Sequence, residues 1–175
     1  MSDNLYQMTA QYEPTQDRIL FRVSTEKRFE YRVWLTRRMV KELWEVAVKA
    51  FEAEPEVKQQ AHQPRVQQAV MSMKHQKALQ AADFSKKHDT KTRPPPEADK
   101  TLLAISTEIR ITATGTVKLT LHTAERKNVN LNFGKEMLHG ICHILQHAAD
   151  RANWDLQLNV GDLESLVTQN VAKVH

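Results

Sequence analysis

The chain has 175 residues, of which 41% are hydrophobic and 26% charged, with a formal net charge of +4. This ordinary globular mixture fits a single domain over 1–175, and no apolar run approaches the roughly 20 residues of a membrane span. The N-terminus has neither the basic nor the apolar region of a signal peptide, and the only cysteine, Cys142, excludes an internal disulfide. We therefore expect a cytoplasmic protein without membrane contact, whose mild basic excess permits an anionic partner without requiring one.

A first unit of strands and a helix is predicted over 5–54. Apolar and polar residues alternate in 18–24 and 29–35, which indicates two strands that each bury one face, and Leu5–Tyr12 is a candidate leading strand. From Thr36, a natural N-cap, apolar residues recur at helical spacing until Pro55. The side chains expected in the core are Ile19, Phe21, Val23, Tyr31, Val33 and Leu35.

The middle of the chain is predicted to contain a helical insert and a linker. Residues 56–87 are rich in Gln and Ala, and Pro64 is placed to begin a new helix. Their weak apolar stripe consists of Val66, Val70, Met73 and Phe84. Residues 86–100 are charged, rich in proline and nearly free of apolar side chains, so we expect a disordered linker there.

A second unit is predicted over 101–154, with strands at 102–112, 117–122 and 128–133 and a helix at 135–152. Residues 155–175 form a C-terminal extension, in which 155–160 suggest a short strand and the residues after Gly161 have helical spacing. Residues 19–51 overlay 117–149 without a gap, and their apolar positions largely coincide. We therefore predict an α+β fold. Two pseudo-equivalent strand-strand-helix units would form one antiparallel sheet with helices on one face and the helical insert between the units.

The outward face of the first hairpin is unusually rich in arginine. Between Asp17 and Arg38 there are seven basic residues against three acidic ones, and the corresponding face of the second unit is nearly uncharged. Strand alternation places Glu30 on the outward side as well. The candidate binding residues are Arg18, Leu20, Arg22, Arg28, Arg32 and Trp34, followed by Arg37 and Arg38 in the first turn of the helix.

Three interpretations of this face remain open. Arginines beside an exposed aromatic ring are typical of single-stranded nucleic-acid binding, and they also anchor protein contacts. Alternatively, the arginines keep edge strands soluble, and Trp34 is covered by the 56–87 helices or by a second subunit. We expect a protein partner or self-association before nucleic acid.

Three histidines, His139, His143 and His147, are spaced one helical turn apart and are weak candidates for a metal site. The wheel places them opposite the apolar face of their helix, at positions that correspond to the solvated row of Lys41, Glu45 and Lys49. We therefore expect no metal. The chain also has no phosphate-binding loop, nucleophile elbow or zinc motif, so we expect a non-catalytic protein without cofactors.

The blocks EYRVWLTRRMVKELW and VNLNFGKEMLHGICHILQHAADRANWDL resemble a group of uncharacterised, mostly proteobacterial proteins, with a likeness that covers roughly 18–52 and 102–158. This resemblance implies a bacterial origin and no particular activity. In architecture alone, the tandem plan is similar to PUR-alpha and whirly nucleic-acid-binding domains. The sequence thus predicts a binding or scaffold protein that uses the Arg/Trp face, with single-stranded nucleic acid as the alternative ligand.

Overall fold

The computed structural model of the protein describes residues 3–85, 87–96, 98 and 100–162. These residues contain both helices and strands, and the predicted α+β class is confirmed. The elements in chain order are β1 (Asp3–Glu13), β2 (Arg18–Thr25), β3 (Glu30–Leu35), α1 (Arg37–Glu52), α2 (Pro55–Lys58), α3 (Pro64–Ala81), β4 (Leu102–Ile111), β5 (Thr116–Thr123), β6 (Val129–Gly134) and α4 (Lys135–Arg151).

The strands form a closed six-stranded barrel in the order of the chain. Within the sets β1–β2–β3 and β4–β5–β6 all pairings are antiparallel, as predicted. Two short parallel seams join the sets, one that pairs Val33 and Trp34 with 102–103 and one that pairs Asp3 and Asn4 with 131–132. The alternation of apolar and polar residues does not predict these seams. It indicates which face of a strand is buried, but not which strand pairs with its edge. The pseudo-equivalence of the two units stays a prediction.

The inward side chains of β2 and β3 form the core as predicted. Ile19, Phe21, Val23, Val33 and Leu35 have no exposed surface, and Tyr31 is also buried. The turns after β2 and β5 each place an arginine in the left-handed region, Arg28 with φ 61° and Arg126 with φ 58°. Positive φ values are uncommon for residues other than glycine, so both hairpin turns have an unusual backbone conformation.

The two long helices after β3 and β6 cross from one set of strands to the other. The helix α1 packs mainly on β4, and α4 packs mainly on β1. The predicted cap is present, since the Thr36 side chain accepts a hydrogen bond from the backbone N–H of Met39 at 3.3 Å. Because each helix packs on strands of the other set, the strands and the helices share one core. No helix within the described ranges combines the length and apolar character that a membrane crossing needs.

The helix α3 begins at Pro64 as predicted, but it buries a different face. Its buried residues are Ala69, Met71, Ser72 and His75, whereas Met73 is 60% exposed. Phe84 beyond the helix is 45% exposed, so the predicted stripe is wrong at both of these positions. The reason is that α3 is contacted on two sides. It packs on α4, and Gly161 approaches so closely that a Cβ there would lie 2.3 Å from the Gln68 carbonyl oxygen.

The segment predicted as a linker has specific contacts in its described part. Glu30, which was expected to face solvent, is buried and contacts His88 at 2.8 Å and Thr92 at 3.1 Å through one carboxylate oxygen. The other oxygen of Glu30 accepts a hydrogen bond from Arg32 at 2.9 Å. Burial acts to raise the pKa of Glu30, but these hydrogen bonds outweigh it and the pKa is lowered.

Backbone contacts add to this attachment. The N–H of Glu30 donates to the Arg93 carbonyl at 2.9 Å, and the Arg93 guanidinium lies 4.8 Å from the centre of the Phe29 ring. A single buried carboxylate thus attaches part of the polar segment for which composition predicts a disordered linker. The mobility of 86–100 itself stays a prediction.

The chain after α4 contains no strand at 155–160. Asp155 and Gln157 have φ values of 50° and 52°, which interrupt an extended backbone, although Leu158 and Val160 are buried. Trp154 donates from Nε1 to an Asp17 carboxylate oxygen at 2.8 Å. This bond, together with one from Tyr12, lowers the pKa of Asp17. The helical spacing predicted after Gly161 falls almost wholly on residues outside the described ranges.

Replacement of Glu30 with Ala is expected to release the 87–95 segment. The change removes the acceptor of three hydrogen bonds at a buried position, which typically costs about 1–3 kcal/mol. The free energy of unfolding from urea titration should fall by this amount, and trypsin should cleave faster after Lys87 and Lys91. The control is Glu45→Ala at an exposed position of α1. Unchanged cleavage and stability in Glu30→Ala would show that the carboxylate does not hold the segment.

Candidate binding surfaces

An apolar row crosses the outer face of three adjacent strands. Leu20 of β2 pairs with Trp34 of β3, and Trp34 pairs with Leu103 of β4. All three side chains are half-buried. Because paired residues on neighbouring strands point to the same face, these side chains form a continuous strip on the outside of the barrel.

Two arginines lie side by side next to this row. Arg22 and Arg32 are paired across β2 and β3. The Arg22 Nε donates to Thr9 Oγ1 at 3.3 Å, and the Arg32 Nε bonds to Glu30. Beyond the other side of the row, Arg18 pairs in register with Glu13 of β1. We call Arg18, Leu20, Arg22, Arg32, Trp34 and Leu103 the hairpin face.

The remaining three predicted residues lie apart from the hairpin face. Arg28 is exposed in the turn between β2 and β3, and Arg37 is exposed at the start of α1. Arg38 has a structural contact, since its Nη2 donates to the Ile105 carbonyl of β4 at 3.3 Å. The structure therefore brings together five of the eight predicted residues.

Ile105 is an exposed apolar residue that the sequence does not identify. The pairing of β4 with β5 shifts between Ala104 and Ser106, and Ile105 at this irregularity is 43% exposed. Alternation is interrupted at such a bulge, so the period of the strand gives no signal for it.

The first histidine of the α4 row, His139, is buried, so the prediction that it lies on a solvated face is wrong. His139 Nδ1 lies 2.9 Å from His75 Nδ1 of α3, and its ring stacks on Phe51 with 4.0 Å between ring centres. Burial lowers the pKa of each of these histidines to about 4. The wheel failed here because α4 is covered on a second side by α3, which composition could not place.

The other two histidines point to a groove. The rings of His143 and His147 are 4.4 Å apart, and His143 lies 4.8 Å from the Phe84 ring. Burial lowers the pKa of His143. Among the residues that the structure describes, no three His, Cys, Asp or Glu side chains gather in an arrangement that could hold a metal ion. Cys142 is buried, and burial raises the pKa of its thiol well above the usual range.

The groove lies between β1, α4 and residues 78–85 and 87–89, and it has a volume of about 950 Å³. Its apolar lining includes Met8, Ala10, Met137, Ile144 and Ala148. Volumes of 300–1,000 Å³ are typical of ligand sites. Sequence reasoning missed this groove, because three segments that are far apart in the chain form its walls.

No protein-family model matches the chain, and neither the curated proteins nor the solved structures give a significant match. The geometry of the two surfaces therefore carries the functional argument.

The buried histidine pair is expected to make stability depend on pH. Both folded pKa values lie below the ordinary 6.5, so the unfolded chain binds more protons and stability falls as the pH drops from about 6.5 toward 4. At pH 5 the loss should be roughly 2 kcal/mol for each histidine that stays neutral in the folded state. Urea titrations at pH 7.5 and 5 measure it.

The matched variants are the double change His75→Phe with His139→Phe and the exposed control His147→Gln. The double variant should lose most of the difference between the two pH values, whereas the control should keep it. If the double variant keeps the full pH dependence of the unmodified chain, titratable groups other than these two histidines cause the effect.

Proposed function

We propose that the protein is a non-catalytic binding protein that contacts a protein partner through the hairpin face. The observation that carries this proposal is the apolar row of Leu20, Trp34 and Leu103 with arginines on both sides. Trp and Arg are enriched among the residues that dominate protein interfaces. The outer face of a barrel suits a partner surface better than it suits a small substrate, because small-molecule sites are concave.

The equivalent strand pair of the other set has a different chemistry. Thr120 of β5 donates to Asn130 of β6 at 3.0 Å, and Lys118 pairs with Asn132. This outer face is polar, and Thr120 and Asn130 bond to each other across it. The contrast supports a specific role for the hairpin face, since a surface that needed only solubility would not require a half-buried apolar row on the outside of the barrel.

Two observations favour protein over single-stranded nucleic acid. Arg22 and Arg32 already bond to side chains of the barrel, and Arg38 bonds to the backbone of β4, which leaves fewer arginines for phosphates. Trp34 is half-buried between its paired neighbours instead of standing out as a stacking platform. The nearby exposed Ile105 adds apolar surface for a protein partner or a second copy.

Trp34→Ala is expected to remove binding and leave the fold intact. Truncation of an interface anchor typically costs about 2 kcal/mol or more of binding free energy. The loss of stability should stay below the roughly 3–5 kcal/mol of a fully buried aromatic residue, because Trp34 is half-buried on the outside of the barrel. The partner is first recovered from a nuclease-treated native lysate and purified, and sedimentation tests whether it is a second copy.

Calorimetry then compares the unmodified chain with Trp34→Ala and with Thr120→Ala, which alters the matched face of β5. Equal affinity in the unmodified chain and in Trp34→Ala would overturn the proposed surface. A labelled oligo(dT) titrated at several salt concentrations tests the alternative. Binding that weakens log-linearly with salt and is lost in Arg22→Ala with Arg32→Ala would replace the protein partner with nucleic acid.

A further inference from the structure

The strand β1 has an edge without a strand partner. It pairs with β2 from Leu5 to Glu13, but it pairs with β6 only at Asp3 and Asn4. Alternate residues of the remaining length direct their backbone N–H and C=O groups to the unpaired side. From Met8 to Glu13 this free edge spans roughly 20 Å.

The strand β4 has the same kind of edge, and α1 closes it with side chains. β4 pairs with β3 only at Leu102 and Leu103. Beyond this seam, Arg38 of α1 donates to the Ile105 carbonyl at 3.3 Å, and Glu42 accepts from the Thr107 N–H at 3.0 Å. Covering an edge in this way blocks the addition of a further strand.

The strand β1 lacks this protection, although α4 lies against it as α1 lies against β4. The helix presents Gly140, and a Cβ at this position would come within 2.9 Å of Met8 Cε. Within the described residues, no side chain of α4 forms a hydrogen bond to β1. Met8, a flexible apolar side chain, therefore occupies the space over Gly140, whereas Glu42 of α1 accepts a backbone hydrogen bond from β4.

The first part of this free edge, residues 8–10, lines the groove of about 950 Å³. The floor of the groove, as we name its apolar lining, consists of Met8, Ala10, Ile144, Ala148 and Phe84. Charged side chains of both signs line the groove. The basic ones are Lys87 and Arg151, and the acidic ones are Asp83, Asp89 and Glu136. This mixed rim suits a peptide without a large net charge, whose alternate apolar side chains point to the floor.

We propose that the free edge of β1 binds an extended peptide segment of a partner protein, which adds to the sheet as a further strand. Main-chain hydrogen bonds to β1 would supply affinity, and the apolar floor would select alternate side chains. A second copy of this chain does not fit, because its own β1 edge lies in the same kind of groove beside α4. This surface is separate from the hairpin face, and the proposal does not depend on the function assigned to that face.

The test uses a display library of twelve-residue peptides selected against the full chain. Selected peptides should have apolar residues at every second position. Gly140→Leu places a side chain in the groove and should weaken their binding at least about tenfold, whereas Trp34→Ala on the hairpin face should leave it unchanged. Circular dichroism checks that Gly140→Leu is folded. Ile144→Asp in the groove lining is the second variant.

A scan with N-methylated peptides separates strand addition from simple apolar binding. Methylation of the alternate amides that face β1 should weaken binding roughly 5- to 10-fold for each lost hydrogen bond, and methylation of the intervening amides should have little effect. The proposal is overturned if the scan shows no alternation. It is also overturned if the library yields no peptide whose binding Gly140→Leu or Ile144→Asp weakens.

Discussion

The closure of the barrel is the constraint on which the rest of the structure depends. Each parallel seam joins only two residue pairs, so backbone hydrogen bonds alone hold the two strand sets together weakly. The crossed helices supply what the seams lack, because α1 packs on β4 and α4 packs on β1. A three-stranded set of this size has too little apolar surface to be stable alone. The sets are therefore mutually dependent, and the inward side chains of both sets belong to one core.

Buried polar groups then fasten the additional segments to this core. Glu30 holds the 87–95 segment, and the pair of His75 and His139 joins α3 to α4. Lys74 of α3 bonds to Glu54 and Glu56 around α2 at 2.8 Å each. These polar groups contact one another within the protein, whereas the hairpin face and the groove keep apolar side chains near solvent. The buried polar contacts thus attach segments to the core, whereas the hairpin face and the groove are available to a partner.

The sequence predicts features that depend on a single element and misses features that several distant segments form together. Alternation identifies the core side chains of β2 and β3 and places Leu20, Arg22 and Trp34 on the outside, because the period of a strand fixes both faces. It cannot identify the seams, the open edge of β1 or the exposure of Ile105, which depend on neighbouring strands. His139 and Glu30 look solvated in sequence because their own elements are amphipathic. Each is buried by a segment from elsewhere in the chain, and pairing over such distances leaves no local pattern.

The seam between β1 and β6 also has a mechanical consequence. Asp3 and Asn4 lie at the start of the described chain, and their side chains bond to the turn after β2, Asp3 to Lys27 and Asn4 to Glu26, both at 2.9 Å. Tension applied at the N-terminus therefore acts directly on the pairs that close the barrel. Force at the end of α4 meets a helix packed along its length. The chain is mechanically polar, because an affinity tag, a surface tether or a pulling handle at its N-terminal end loads one of the two shortest strand pairings among the described residues.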